Sequence, residues 1–385
     1  MSAVDIDFME HCFALAERGR FTAMPNPVVG CVIVQNGQVV AEGWHEKAGG
    51  PHAEIKALDR AGAKARGASL YVSLEPCAHH GRTGPCSERI IAAGLARVIF
   101  GMTDPNPLVA GKGIEKIRSA GIAVSGPLLQ EAALALNPGF VKRMTRGLPL
   151  LRCKLAMSLD GRTAMASGES KWITGPQARA DVQLLRARSS AVISGIDTLL
   201  ADDPALNVRL DGQTVAQPLR VIVDSALRTP VSARTLQVPG SVLIATAVRD
   251  ENLLAIKRAA MAAANCGPDA AQVELVSFAG NHGKVDLNAL LRYLAREKHC
   301  NEVLLESGAR LAGAMMQAHL VDELITYIAP SLLGSDARPL LHLPGIEQMS
   351  QQLQLEIIDV VLLGKDCRMR SRVLNEQEPS CLPAS

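Results

Sequence analysis

Four side chains near the start of the chain have the types and order that metal-assisted hydrolysis needs. His52 and Glu54 lie in Pro51-His52-Ala53-Glu54, and Cys77 and Cys86 in the stretch Leu74 to Cys86, LEPCAHHGRTGPC. One imidazole and two thiolates are borderline or soft donors that suit Zn²⁺, and three protein ligands leave the fourth tetrahedral position open for water. Two thiolates neutralise most of the metal's charge, so bound water is acidified less than at an all-histidine site. A separate base is then useful, and Glu54 is the natural group to take the water's proton and pass it to a departing amine. Residues two apart point to different sides of a regular helix. His52 and Glu54 therefore converge only at a helix start, a place that Pro51 suits.

The order matches the zinc nucleobase-deaminase signature, His-x-Glu followed by Pro-Cys-x-x-Cys. Pro76-Cys77 is intact, but the gap to the second cysteine is stretched by the polar, glycine-containing segment Ala78 to Pro85. A lone His-x-Glu carries little weight; four elements in sequence carry more. The competing reading is a structural clip closed by a fourth ligand, for which His79 and His80 are available.

The composition narrows what such a site could serve. A chain of 385 residues with 48 % hydrophobic content has the length for two or three domains with filled cores. Its longest apolar runs, such as Leu148 to Leu151 and Val360 to Leu363, are too short to cross a bilayer. The N-terminal Met-Ser-Ala-Val-Asp-Ile-Asp lacks a signal-peptide pattern. Nine scattered cysteines fit reduced thiols, so a cytoplasmic protein without membrane contact is expected. Enzymes that edit tRNA or DNA need a basic face with stacking aromatics. A net charge of +2 and 3 % aromatic content argue against one and favour a small-molecule substrate, with no nucleic acid. A nucleic-acid editor with a C-terminal targeting module, and a non-catalytic zinc-stabilised binding protein, are the two alternatives.

The elements that must position the four residues are legible as strands alternating with helices. Helices are expected over Asp5 to Arg18 (behind an aspartate cap), Ala53 to Ala63, Ser87 to Ala93, Gly113 to Ala120 and Leu128 to Leu136. Val28 to Gln35 and Gln38 to Trp44 form a hairpin about Asn36-Gly37. Further strands are expected over Ala68 to Leu74, Arg97 to Gly101 and Ile122 to Val124. This is an α/β/α layered sheet, with both halves of the metal site where strands give way to helices. Asn137 to Pro149 reads as a connector, dividing a domain of residues 1–146 from one of 147–373, with a frayed tail from Leu374.

In the second half a mostly parallel sheet is closed by antiparallel strands from Leu324 onward. Three clusters stand out: Ser158 to Thr163 with Ser167 to Trp172, Leu199 to Arg209, and Glu306 to Gly313. The last is a strand entering a small-residue turn and a helix, where backbone N–H groups can meet phosphate. It is neither a dinucleotide fingerprint nor a Walker loop, and spacing alone leaves it between a ligand loop and a packing turn. By type alone, Trp172 reads as a half-buried core residue and Arg186 as a solvated helix residue.

Across nearly the whole chain the motifs PNPVVGCVIV, GGPHAEIKAL, LEPCAHHGRTGPC, DPNPLVAGKG, KLAMSLDGRTAMASGESKWITG, ADDPALNVR, ESGARLAGA and VDELITYIAPSLLG occur in order. In this the chain resembles the RibD family of bifunctional riboflavin-biosynthesis enzymes, a pyrimidine deaminase fused to a pyrimidine reductase. The resemblance implies a cytidine-deaminase-like α/β/α domain and a dihydrofolate-reductase-like α/β domain. It implies zinc, one per deaminase domain, hydrolytic deamination of a phosphoribosylamino diamino-pyrimidinone, then NADPH-dependent reduction of ribosyl to ribityl. His52, Cys77 and Cys86 match the family's zinc ligands and Glu54 its proton shuttle. Asn26, His45, His79 and Arg82 match deaminase substrate contacts. Ala156, Trp172, Thr198, Asp202, Ser225 and the turn Gly308, Ala309, Arg310, Leu311, Ala312, Gly313, Ala314 match NADPH-binding positions. Ser170, Arg186, Leu206, Arg209 and Glu306 match positions holding the reductase substrate. Lys154, Asp202 and Glu306 are the candidate proton donors, and a homodimer or homotetramer is expected. One departure is Gly84, where the family usually carries proline.

Overall fold

Strand residues of the first half alternate between two apolar faces rather than between apolar and polar. Cys31, Ile33, Leu70, Val72, Val98 and Phe100 face one cluster, while Val32, Val34, Tyr71 and Ile99 face another. Such strands must be covered on both sides, which is why helices flank this sheet. In the computed structural model, residues 2–78, 84–107, 109–210, 212, 215–265, 267 and 270–374 are described. They form two compact units, one ending at Gly147 and one beginning at Leu148.

The first unit runs α1 (Ala3–Glu17), β1 (Gly30–Gln35), β2 (Gln38–Trp44), α2 (Ala53–Ala61), β3 (Ser69–Val72), α3 (Cys86–Ala92), β4 (Arg97–Phe100), α4 (Lys112–Ser119), β5 (Ala123–Ser125), α5 (Gln130–Leu136) and α6 (Pro138–Arg146). Its sheet has the order β2-β1-β3-β4-β5. The β1–β2 hairpin turns at Asn36 and Gly37, both with positive φ (52° and 75°), as a tight primed turn requires. Helix α1 packs Met9, Cys12 and Leu15 on one face, and α2, α3 and α4 cover the other.

Two expectations need correction here. The cap of α1 is Ser2, and Asp5 is the third residue of its capping box. That carboxylate also accepts the Tyr71 hydroxyl at 2.7 Å and Arg97 Nη1 at 2.9 Å. The expected connector at Asn137 to Pro149 is largely the helix α6. Pro138 occupies its first turn, where a missing N–H costs nothing, and Gly147 ends it at φ 66°. Those residues mark helix boundaries as readily as a linker. Buried Phe140 and Val141 then hold α6 in place.

The second unit runs β6 (Leu150–Ser158), β7 (Arg162–Ala164), α7 (Pro176–Ala187), β8 (Ala191–Gly195), α8 (Ile196–Asp202), β9 (Leu219–Val223), β10 (Ser241–Thr246), α9 (Glu251–Ala264), β11 (Gln272–Ser277), α10 (Leu287–Arg296), β12 (Glu302–Leu305), α11 (Ala309–Gln317), β13 (Glu323–Ala329), β14 (Arg338–Pro339), β15 (Leu355–Leu363) and β16 (Asp366–Val373). The nine-stranded sheet has the order β11-β10-β9-β8-β12-β6-β13-β16-β15. It is parallel from β11 to β13, and β16 and β15 close it antiparallel. The short helix α8 was missed in the sequence. Only Ile196 and Leu199 anchor its seven residues, too few to print a period. The tail beyond Leu374 lies outside the described residues.

Candidate functional sites

Helix α2 starts one residue after His52, which occupies its N-cap with an extended backbone (φ −69°, ψ 163°). That break in helical geometry lets His52 and Glu54, two apart, serve one site. Cys86 opens α3, and Cys77 lies on the segment that leaves β3. The His52 Nδ1 is 3.2 Å from Cys86 Sγ and 3.6 Å from Cys77 Sγ. All three donor atoms fall within 4.8 Å of one another, and no fourth His, Cys, Asp or Glu joins them among the described residues. Ideal tetrahedral zinc with ordinary Zn–N and Zn–S lengths would set N···S separations of about 3.6 Å. The donor set therefore fits the metal in both type and spacing.

The electrostatics of the cluster have the same sense. The Cys86 thiol hydrogen-bonded to Cys77, together with His52, holds the Cys77 thiol well below its ordinary range. The imidazole of His52 is raised to about 9, chiefly by its hydrogen bond with Cys77. The Cys86 thiol, hydrogen-bonded to Cys77 and buried, is pushed up in turn. Glu54 is buried beside them, and burial pushes its carboxyl up from the usual value, against the pull of His52. It shares a hydrogen bond with Cys86.

The structure brings Asn26 and His45 together at the same place. Asn26 Nδ2 and His45 Nε2 are 3.0 Å apart, His45 Nδ1 is 3.2 Å from Pro51 O, and the His45 ring meets that of His52 edge-on at 5.6 Å. Because a carbonyl can only accept, His45 Nδ1 donates to it; burial holds the ring below the usual histidine range, hence neutral. Its Nε2 then accepts from the Asn26 amide. His79 and Arg82 lie outside the described residues, as does His80. One residue the motif reading passed over is Glu75, only 3 % exposed, within LEPC itself. A carboxylate between Leu74 and Pro76, two positions before a thiolate, was the available signal.

In the second unit, the candidate residues gather at the carboxyl ends of neighbouring parallel strands, where α/β sheets hold ligands. Arg186 of α7 and Glu306, just after β12, form a two-pronged ion pair at 2.5 and 3.1 Å, and Arg186 Nη1 also donates to Asn207 O at 3.0 Å. Both side chains are 11 % exposed, so Arg186 is not the solvated helix residue its type suggested. Burial would raise the Glu306 carboxyl, but Arg186, Lys154 and Arg209 hold it below its usual range. Lys154 is pushed down by burial on β6.

Thr198 Oγ1 accepts the Gly308 N–H at 3.1 Å, joining two of the expected cofactor positions. Gly308 is the N-cap of α11, and the expected turn through Ala314 is already helix from Ala309. Arg310 is exposed, and Leu311 packs partly against the core. Ala312 and Gly313 face inward; a Cβ on Gly313 would lie 2.0 Å from His342 O. Trp172 is 72 % exposed with the Arg179 guanidinium 4.6 Å over its ring, which overturns its reading as a core residue. Ser225 Oγ accepts Val285 N–H at 3.4 Å, and Asp202 lies 3.9 Å from Lys171 Nζ at the surface. Ala156 and Ser170 are half-buried, Leu206 is buried, and Arg209, exposed, donates its N–H to Gln183.

Residues 2–102 match the cytidine and deoxycytidylate deaminase zinc-binding region, and residues 149–368 match the RibD C-terminal domain. The chain belongs to the RibD family. It is 49 % identical over 370 residues to the riboflavin biosynthesis protein RibD of Escherichia coli K12, covering 93 % of this chain and 96 % of that one. RibD of Acinetobacter baumannii superposes with a TM-score of 0.86 at 45 % identity, over 97 % of this chain and 99 % of that one. A Thermotoga maritima diaminohydroxyphosphoribosylaminopyrimidine deaminase/5-amino-6-(5-phosphoribosylamino)uracil reductase gives 0.82 at 30 % identity, over 96 % and 99 %. Like other RibD proteins, this one is a bifunctional deaminase/reductase of riboflavin biosynthesis, with a zinc-binding deaminase domain and a reductase domain. No helix among the described residues is long and apolar enough to cross a membrane.

Proposed function

We propose that residues 1–146 hydrolyse the ring amine of 2,5-diamino-6-(5-phosphoribosylamino)pyrimidin-4(3H)-one, and that residues 147–373 reduce the product to 5-amino-6-(5-phosphoribitylamino)uracil. The observation that carries the first step is the convergence of His52 Nδ1, Cys77 Sγ and Cys86 Sγ beside a buried Glu54. His52, Cys77 and Cys86 are the residues that would hold zinc, which when bound would supply the Lewis acidity that makes a water acidic. Glu54 would accept a proton from the attacking water and return it to the departing amine, and a carboxyl raised by burial is suited to doing both. The Pro51–His45–Asn26 chain fixes the Asn26 amide with its nitrogen toward His45, leaving the carbonyl oxygen as an acceptor for the pyrimidine's N–H groups. His79 and Arg82 complete the contacts in this reading, with Arg82 on the phosphate.

For the second step NADPH, when bound, would supply the hydride. Ala156, Trp172, Thr198, Asp202, Ser225 and Gly308 to Ala314 hold the cofactor in this reading, and Ser170, Arg186, Leu206, Arg209 and Glu306 hold the substrate. Arg186 is engaged by Glu306, so it acts as an orienting pair with that carboxylate, and the exposed Arg209 is left to meet the phosphate. Lys154, buried beside the pair and pushed toward its neutral form, Asp202 and Glu306 are the groups available to handle the proton. The enzyme works in the cytoplasm as a homo-oligomer; the exposed Ile357, Val360 and Leu362 on edge strand β15 support a self-association surface. The test is metal analysis of the purified chain together with ammonia release and NADPH consumption on the phosphoribosyl pyrimidine. One zinc per chain and both activities are expected; ammonia release from metal-free protein would refute the first step.

A further inference from the structure

Glu75 is a carboxylate inside the first unit with no cation to meet it among the described residues. Its partners are four backbone N–H groups. Asp104 and Gly111 donate to Oε2 at 3.1 and 2.9 Å, and Gly113 and Ile114 to Oε1 at 3.1 and 3.4 Å. Three of the four belong to the start of α4, whose N-cap Gly111 has a left-handed backbone (φ 84°) and no side chain to cap with. The orphan donors that every helix start leaves are here satisfied by a residue far away in sequence. A negative charge at a helix N-terminus is also favoured by the helix dipole. Taken alone, this is a helix cap.

Its position gives it a second consequence. Glu75 N–H donates to Met102 O at 2.9 Å, so backbone and side chain of the same residue are both tied to the segment that follows β4. Pro76 is pressed against Gly113, where a Cβ would stand 1.8 Å from the Pro76 carbonyl oxygen. The next residue is Cys77. On its other side, Cys77 is held by the start of α3, its sulfur accepting Cys86 N–H at 3.4 Å and its carbonyl accepting Ser87 N–H at 3.1 Å. His52 and Glu54 stand on α2, a separate element. The clamp therefore sets one sulfur in place relative to a base that it does not touch.

We propose that Glu75 is a positioning residue of the deaminase centre: by gathering the N–H groups of Asp104, Gly111, Gly113 and Ile114 it sets the place of the Cys77 sulfur relative to His52 and Glu54. This rests on the reading of His52, Cys77 and Cys86 as metal ligands. A glutamine at 75 keeps the size but offers one accepting oxygen for two pairs of donors, and turns an NH₂ toward backbone N–H groups. The Pro76–Cys77 peptide then shifts, and ligand geometry changes without loss of a ligand. Partners that orient metal ligands are typically worth about 10- to 100-fold in affinity or activity.

The test uses the full chain, loaded with Zn²⁺ for kinetics and with Co²⁺ for its visible spectrum, as wild type, Glu75→Gln, Glu75→Asp and Gly113→Ala. Expected for Glu75→Gln are one metal per chain, displaced Co²⁺ bands, and a deaminase kcat lower by about 10- to 100-fold at nearly constant KM. Glu75→Asp, which restores the charge with a shorter reach, should lie between it and wild type. Gly113→Ala should displace the same bands while leaving Glu75 in place, and reductase activity should hold in all four. An unchanged spectrum and kcat in Glu75→Gln would overturn the proposal. So would equal loss of metal and of folded structure in both Glu75 variants, which would leave Glu75 a helix cap only. A wild-type chain that binds neither metal would instead refute the metal reading itself.

Discussion

The donor cluster of the first unit and the Arg186–Glu306 pair of the second both lie at the carboxyl ends of strands, but they are supported differently. His52 is the N-cap of α2 and Cys86 the first residue of α3, so the helix starts themselves aim the candidate donors. Arg186 and Glu306 are 120 residues apart and are joined by a charge pair taken largely out of water. At a helix-start site a change in the surroundings shifts donor geometry while leaving the fold intact, because no buried charge is stranded. A buried pair has no such reserve, since removing one charge strands the other. The lesson is that the metal centre should fail in chemistry and the reductase centre in stability.

Removing the metal should give the largest separation. Dialysis against a strong chelator is expected to take ammonia release to background while NADPH oxidation on the deaminated substrate persists; parallel loss of both would erase the contrast. Next comes Glu54→Gln, which keeps every donor of the cluster. Deamination should fall by about 10²- to 10⁴-fold, with metal content and reduction unchanged, as read by ammonia assay and metal analysis.

Glu306→Gln sharpens the other side. Leaving Arg186 buried without its counter-charge should cost the second unit about 3–5 kcal/mol, seen as a lower denaturation midpoint for that unit. Reduction should be lost and deamination kept. A stable, inactive variant would make this centre resemble the first.

The smallest effect concerns Asp5. Burial would raise its carboxyl, but hydrogen bonds from Arg97, Ser2 and Tyr71 hold it well below the usual range. A lowered folded-state value stabilises the fold above the unfolded value of about 3.9 and fades as pH falls through the folded one. Asp5→Asn should therefore weaken the first unit at neutral pH, and the gap to wild type should narrow below about pH 4. Acid titrations of both, followed by circular dichroism, check this.

The two sites were also unequally legible. The alternation of strand and helix segments and Asn36-Gly37 marked the first sheet, and His52, Glu54, Cys77 and Cys86 marked its candidate site, because each signal is local. Trp172 and Arg186 read wrongly by type: exposure of the one and pairing of the other depend on chain segments far from them. The segment at Pro138 misled for another reason, since proline and glycine signal helix ends and linkers alike.

Residue order alone therefore determined which atoms could hold a metal and which carboxylate would be available beside them, since chemical type and short spacing survive in any fold. It also determined the alternation of strands and helices, which local apolar periods encode. Only the tertiary structure decided that Glu75 caps a helix from another part of the chain, that Arg186 is bound to Glu306, and that His45 steers Asn26. Each of those depends on desolvated charges or directed hydrogen bonds between distant segments, and their partners are chosen by packing rather than by neighbours in sequence.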